Sequence, residues 1–404
     1  MKRPALTSPV VIAILGAAGA ITPMTVDMTL PALPEIARSF NVSATQAQLT
    51  ISTFLIAYAV TQLVYGPLSD RFGRRPVLLS SLGFFVLASL GCIFAPTIEV
   101  LLVGRFVQGM GAAATMAIGR ACIRDIYGHD ATRAMSFLMM WTGVAPILAP
   151  LIGGFAVGFG GWPTLFMILL AVSLAIWLVM FLFLEESNVA PNPDATRVGP
   201  IVRNFGTILR HRVFLGYAIV TIGLHGSLFT MLSALPFILK ARLQAEPQEI
   251  GFSFASLMIG QIVGTMISAR LSARHGAVSL VAIGAAIMLS ALAALLFFTG
   301  ASDSGFVSII GSLLIFMLGF GIAAPSVYAG VLAPFPTIAG SVSSLMGVIQ
   351  FVAGAVLGAV AVAVSNGTGQ VLGAQMLVLI SMATIAAIVI VRPGLNRLAP
   401  DTGG

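Results

Sequence analysis

The chain has 404 residues, of which 58% are hydrophobic and 8% charged, with a formal net charge of +7 and a mean hydropathy of +1.05. A water-soluble domain carries about 25% charged residues, so this composition excludes a soluble globular surface. Barrel strands would alternate over segments of about 10 residues, a pattern missing here, and apolar runs of about 18 residues or more between short polar turns read as membrane-spanning helices.

In chain order the predicted spans are roughly 8–36, 46–68, 77–95, 100–122, 135–158, 163–184, 213–239, 249–269, 278–299, 306–332, 340–364 and 371–391. With the N-terminus inside, the cytoplasmic face collects Lys2, Arg3, Arg71, Arg74, Arg75, Arg120, Arg124, Arg133, Arg197, Arg203, Arg210, Arg212, Arg270, Arg274, Arg392 and Arg397, and the opposite face Arg38, Lys240 and Arg242. That bias is the positive-inside pattern. It puts both termini in the cytoplasm and accounts for the net charge without a nucleic-acid partner. The first apolar stretch is too long for the apolar part of a cleaved signal, and Cys92 and Cys122 form no disulfide or metal pattern.

A charge at the bilayer centre costs about 2.5–3.5 kcal/mol on insertion scales, so each one asks for a reason. The first span carries Asp27 in "ITPMTVDMTLPALPEIA", ahead of Pro31 and Pro34. It is the only acid well placed inside the spans, since Glu35, Glu99, Glu246, Glu249 and Asp303 fall at outer ends or loops. Burial and neighbouring charge pull the proton affinity of such a group in opposite directions, and a carboxylate in that balance can take a proton from one side and release it to the other. The alternative is a structural acid capping a broken helix or bonded to Thr25 or Thr29.

Between the second and third spans stands "GPLSDRFGRRPVLL", residues 66–79, with four charges in eight positions. Gly66 permits close approach of a neighbouring helix, and Pro67 and Gly73 punctuate the turn. Asp70 at the membrane edge suits the positive end of a helix dipole. Arg75 reads as a topology-setting charge. The fourth span opens with Arg105, Gln108 and Gly109, the fifth carries Gly143, Pro146, Pro150, Gly153 and Gly154, and His225 is the titratable group of the second half's spans.

Residues 1–184 form the predicted N-terminal bundle, 185–212 a polar cytoplasmic linker with a short amphipathic helix near its end, 213–391 the C-terminal bundle, and 392–404 a cytoplasmic tail. A shift of 203 residues lays Leu271, Ser272, Arg274 and Gly276 on Leu68, Ser69, Arg71 and Gly73, with Ala273 in place of the acid. Agreement with the span count marks a repeat.

"GPLSDRFGRRP" resembles the signature between helices 2 and 3 of the major facilitator superfamily, and the resemblance extends over essentially the whole chain. It implies the all-α major facilitator fold, twelve transmembrane helices as two pseudo-symmetric six-helix bundles. It further implies a latch at the cytoplasmic mouth. There Asp70, with Gly66, Arg71 and Gly73 shaping its turn, meets the start of the eleventh span around Ala339 to Ser343, and Arg74 reaches Asp125. Arg105, Gln108 and Gly109 are similar to the family's fourth-helix motif, whose arginine is associated with proton transfer, with a structural arginine bonded to backbone carbonyls as the alternative.

"GVAPILAPLIGG" (143–154) resembles the antiporter signature of drug-exporting facilitators, with Ala149 where a glycine is usual. "DMTLPALPEIA", "EIGFSFA" and "AGSVSSLMGVIQF" look like the Bcr/CflA exporters, proton antiporters for bicyclomycin, phenicols and similar compounds. Gly19 stands where some related exporters carry a second acid. The cavity is expected to be apolar and polarizable, with Met24, Tyr58, Gln62, Met140, Phe229, Gln261, Tyr328, Gln350 and Phe351 as lining candidates by position. The resulting expectation is a bacterial inner-membrane monomer that exchanges a small-molecule drug for protons and needs no cofactor. An importer of a sugar, amino acid or other metabolite is the alternative. No metalloprotease, Ser/His or Walker motif marks an enzyme or an ATP drive.

Overall fold

The computed structural model describes residues 9–128, 131–300, 305–365 and 367–392, which form helices and turns without a strand. Lys2, Arg3, Asp303, Arg397 and the predicted tail beyond Arg392 lie outside the described residues, as does the side chain of Arg133. Twelve helical stretches are long and apolar enough to cross a membrane, each where an apolar run predicts one. In lipid a segment of this composition must satisfy its own backbone, which leaves the helix as its solution.

The chain divides into two compact units, Met1–Arg197 with Ala245–Ala255, and Val198–Gln244 with Ser256–Gly404. The first unit holds α1 (Pro9–Asp27), α2 (Leu33–Ser39), α3 (Ala44–Phe72), α4 (Arg74–Ile93), α5 (Ile98–Tyr127), α6 (Ala131–Gly160) and α7 (Trp162–Phe183). In it α5 packs against α3 and α4, α1 against α6, and α4 against α7. The second unit holds α8 (Val198–Arg210), α9 (Arg212–Leu243), most of α10 (Pro247–Leu271), α11 (Ala277–Gly300), α12 (Phe306–Leu332), α13 (Ala339–Val364) and α14 (Gly369–Ala386), which ends in a π-helical stretch, Ala387–Val391. Here α9 is almost wholly buried among α12, α13 and α14, and α11 packs on α12 and α14. Large apolar side chains such as Phe84, Leu87, Phe159 and Phe297 stand on the outside, a surface suited to lipid rather than water.

Three details depart from the predicted elements. The first span is not one helix: α1 ends at Asp27, a 3-10 turn follows at Leu30–Ala32, and α2 resumes at Leu33. The second span continues through Pro67 to Phe72, so proline does not end it. The chain reverses at the single residue Gly73, whose φ of 97° lies where glycine carries no steric cost. The repeat has diverged as well. The matching reversal after α10 takes five residues, 272–276, and Gly276 has no positive φ there.

Candidate functional site

Asp27 is the last residue of α1 and is 8% exposed. No ion pair engages it among the described residues. Thr25 and Thr29, the neighbours that could bond it, donate instead to the carbonyls of Ile21 and Thr25 at 2.6 and 2.7 Å. The break that follows is held from the side by the proline-glycine helix. A Cβ on Gly153 of α6 would overlap the carbonyl oxygen of Met28 and lie 2.8 Å from its Cα. Gly153 is therefore the point where the fifth span touches the backbone next to Asp27. One residue on, Gly154 faces the Pro247 carbonyl, and Gly251 faces the Pro150 carbonyl, so the first turns of α10 seat on α6 at backbone contact. α6 runs on through Pro146 and Pro150, and at Gly143 nothing lies within 4 Å of the missing Cβ.

The charged turn is a network within the first unit. Arg74, 8% exposed, donates from Nε to Asp125 Oδ2 at 3.0 Å and from Nη1 to Ser69 Oγ at 2.6 Å, and pairs through Nη1 with Asp70. The Asp70 side chain is half-exposed. Arg71 Nη1 donates to Thr196 Oγ1 at 2.7 Å. Within its own bundle Gly66 has nothing within 4 Å of a Cβ position, so no close helix approach occurs there. Arg75 is more than a topology charge: its Nη2 donates to the Phe181 carbonyl at 2.8 Å.

Glu186, which the sequence argument passes over, organises this turn. Its carboxylate accepts the backbone N–H groups of Arg74 and Arg75 at 2.8 and 3.0 Å, so it caps the N-terminus of α4. A Cβ on Gly73 would stand 2.5 Å from Glu186 Oε2, so glycine serves both the turn's φ and the carboxylate's seat. Asn188 and Asn192 bond the Asp70 carbonyl at 3.0 and 2.9 Å. Glu35 stands in the same relation to α7, accepting the Trp162 N–H at 3.3 Å beside Gly161, whose φ is 75°. The signal that singles out Asp70, an acid suited to the positive end of a helix, applies equally to Glu186. Glu186→Ala is expected to cost about 1–2 kcal/mol, the usual loss of a helix N-cap, and Glu186→Gln, which keeps one acceptor, less. Melting of the purified protein reads both, and an unchanged midpoint in Glu186→Ala removes the cap from the account.

The fourth-helix motif joins four helices. Arg105 is fully buried. Its Nε donates to the Thr50 carbonyl of α3 at 2.9 Å and its Nη1 to Gln108 Oε1 at 2.9 Å. Its guanidinium lies 4.8 Å from the Phe54 ring centroid and 5.8 Å from that of Phe166 on α7. Gln108 donates onward to Ser89 Oγ of α4 at 2.8 Å, and Gly109 lets α5 meet α3 at the Phe54 carbonyl. Arg105 Nη2 has no partner, and no ion pair joins Arg105 to Asp27 among the described residues. A buried guanidinium without a carboxylate relies on such hydrogen bonds and ring faces for compensation.

The cavity candidates divide between the units. In the first, Tyr58 is buried and stacks at 6.4 Å on Phe54, Met24 and Gln62 are half-buried, and Met140 is exposed. In the second, Phe229 is buried 6.5 Å from the half-buried Phe351, Tyr328 bonds Gln350, and Gln261 is half-buried on α10. No group of three or more His, Cys, Asp or Glu side chains suited to a metal occurs among the described residues.

Residues 15–359 match the family described as Major Facilitator Superfamily. Among curated relatives, the uncharacterized MFS-type transporter YdgK of Bacillus subtilis is 31% identical over 92% of this chain and 93% of its own. The bicyclomycin resistance protein homolog of Haemophilus influenzae is 30% identical over 85% of this chain and 86% of its own. Multidrug resistance protein D of Escherichia coli is 28% identical over 87% and 88%. Of solved structures, that of the nucleoside transporter NupG superposes with a TM-score of 0.75 over 96% of this chain and all of its own at 14% identity, a likeness of fold alone.

Proposed function

Because this chain belongs to the major facilitator superfamily, a family of transporters and not of enzymes, we propose that it is a bacterial inner-membrane exporter that trades protons for drugs. The drug assignment is supported by the relatives named for bicyclomycin and multidrug resistance. The proton assignment rests on one observation: Asp27, buried at the end of α1, has no ion-pair partner among the described residues. A carboxylate in that position is free to gain and lose a proton as its surroundings change.

In the proposed cycle, Asp70 meets the first turn of α13, around 339–343, and holds the cytoplasmic mouth shut while the transporter opens outward. A proton then reaches Asp27. Its neutralisation shifts the balance toward the inward-open state, because two states of different proton affinity are biased by proton binding. Drug entering from the cytoplasm favours release of that proton inward, and the return step carries the drug out. Arg105, with one unpartnered nitrogen, holds the fourth helix in this scheme and keeps positive potential near the path. One buried acid among aromatic and sulfur-bearing candidates with a few uncharged amides (Gln62, Gln261 and Gln350) favours neutral or singly cationic amphipathic substrates of the bicyclomycin or phenicol kind.

The test is drug-induced proton release. Purified transporter in weakly buffered detergent solution is expected to acidify the medium when a bound drug such as chloramphenicol is added, and drug affinity is expected to rise with pH. Drug binding that releases no proton and keeps one affinity at every pH would reject the coupling while leaving the family assignment intact.

A further inference from the structure

The face of α9 that carries Tyr217, Thr221 and His225 plays no part in the export cycle above. The three stand at i, i+4 and i+8, so they share one side of the helix and span about 12 Å of it. Their exposures are 1%, 0% and 4%. The Tyr217 hydroxyl, the Thr221 hydroxyl and His225 Nδ1 each have no hydrogen-bond partner.

Thr22 and Ser187 also carry unpartnered buried hydroxyls, but singly, whereas other hydroxyls on buried or half-buried helix faces bond to their own helix. Thr25, Thr29, Ser227 and Thr384 each donate to the carbonyl four residues back at 2.6–2.7 Å. Thr221 does not, although the same carbonyl geometry is available to any helical threonine. An unsatisfied buried polar group costs about 1–3 kcal/mol. Three in line on one face are a cost that structures ordinarily meet with buried water, which makes two to four hydrogen bonds to such groups.

The surroundings frame this face without satisfying it. A Cβ on Gly330 of α12 would overlap the Tyr217 hydroxyl, so that hydroxyl abuts the α12 backbone. The His225 ring meets Phe320 edge-on at 5.3 Å and Tyr328 at 6.2 Å, both of α12. The Tyr328 hydroxyl is engaged by Gln350 of α13. Among the elements packed on α9, α12 brings Tyr328 and α8 brings Arg203 and Arg210, at the Arg212 end of α9. α13, α14 and residues 387–391 bring no titratable side chain.

We propose that Tyr217, Thr221 and His225 line a file of water molecules inside the second unit, and that His225 at its inner end is a proton-accepting group served by that file. Nδ1 takes a proton from the adjoining water, the imidazole becomes imidazolium, and the water is re-protonated along the file from solvent at the Arg212 end. The site holds water and a proton, and it stands apart from Asp27.

Radiolytic hydroxyl labelling of the full chain in lipid nanodiscs tests the file, because radicals formed from a bound water oxidise the side chains that touch it. Tyr217 and His225 are expected to label like the half-exposed Tyr127, while Phe214 and Phe316, fully buried in apolar packing, stay silent. Thr221→Val is expected to cut His225 labelling severalfold and Thr221→Ser to retain it. Silence at both Tyr217 and His225 overturns the file, and labelling indifferent to Thr221→Val overturns its continuity. Nitrogen NMR of the histidines tests the acceptor. His225 is expected to show the imidazolium beside the neutral ring as the pH is lowered to about 4, and a single neutral tautomer down to that pH overturns the role.

Discussion

Asp27→Asn is expected to abolish proton-driven drug efflux while leaving the protein folded and able to bind drug. The substitution keeps the shape of the side chain and removes its charge permanently, which imitates the protonated state. It breaks no ion pair among the described residues, because Asp27 makes none. The stability change should therefore stay within about 1 kcal/mol, the ordinary range for substitutions that disrupt no network. Function should respond quite differently. Without a titrating group, drug binding loses its proton release and becomes flat in pH, where the wild type binds more tightly as pH rises. In everted vesicles, an imposed pH gradient should drive no accumulation by Asp27→Asn, whereas drug equilibration down its own gradient continues. Accumulation by the variant that still follows the pH gradient fully would sink the assignment of Asp27.

The second large effect is expected at Gly153. A methyl there would overlap the Met28 carbonyl oxygen and approach the Met28 Cα at 2.8 Å, and backbone cannot swing aside as a flexible side chain can. Gly153→Ala should cost about 1–3 kcal/mol, the usual price of overpacking, and should displace the break that carries Asp27, with transport falling further than stability alone explains. Gly143 is the control from the same motif. Nothing lies within 4 Å of its Cβ position, so Gly143→Ala should be neutral, or stabilising by up to about 1 kcal/mol through helix propensity. Parallel melting and efflux measurements compare the two. Equal tolerance of alanine at both positions would show that the α6 contact with Met28 has no consequence.

The two capping carboxylates are a wider lesson of this fold. Glu35 and Glu186 each sit at the N-terminus of a transmembrane helix beside a glycine of positive φ. A helix that starts immediately after a one-residue reversal leaves its first N–H groups without partners. At the α4 reversal, glycine both makes the turn and leaves room for a carboxylate from elsewhere in the chain. That pairing joins residues 112 apart for Glu186 and Arg74, so the polar segment after α7 is anchored on the charged turn. The same segment contributes Asn188, Asn192 and Thr196, residues that in isolation read as linker.

By itself the sequence determined the membrane class, the twelve spans and the placing of the charged turn. Each of these follows from local composition: about twenty apolar residues in lipid have the helix as their single way to satisfy the backbone, and a glycine between charged residues marks the reversal. The amphipathic helix in the linker was legible for the same reason. Tertiary structure alone decided which groups meet. It gave Arg105 a carbonyl, an amide and two ring faces in place of an acid, set Gly153 against Met28, left Gly66 open within its bundle, and brought Glu186 to α4. Apart from the Arg105–Gln108 bond within one helix, these pairings join positions tens to more than a hundred residues apart, and they are selected by how whole helices pack, which no local window of residues encodes.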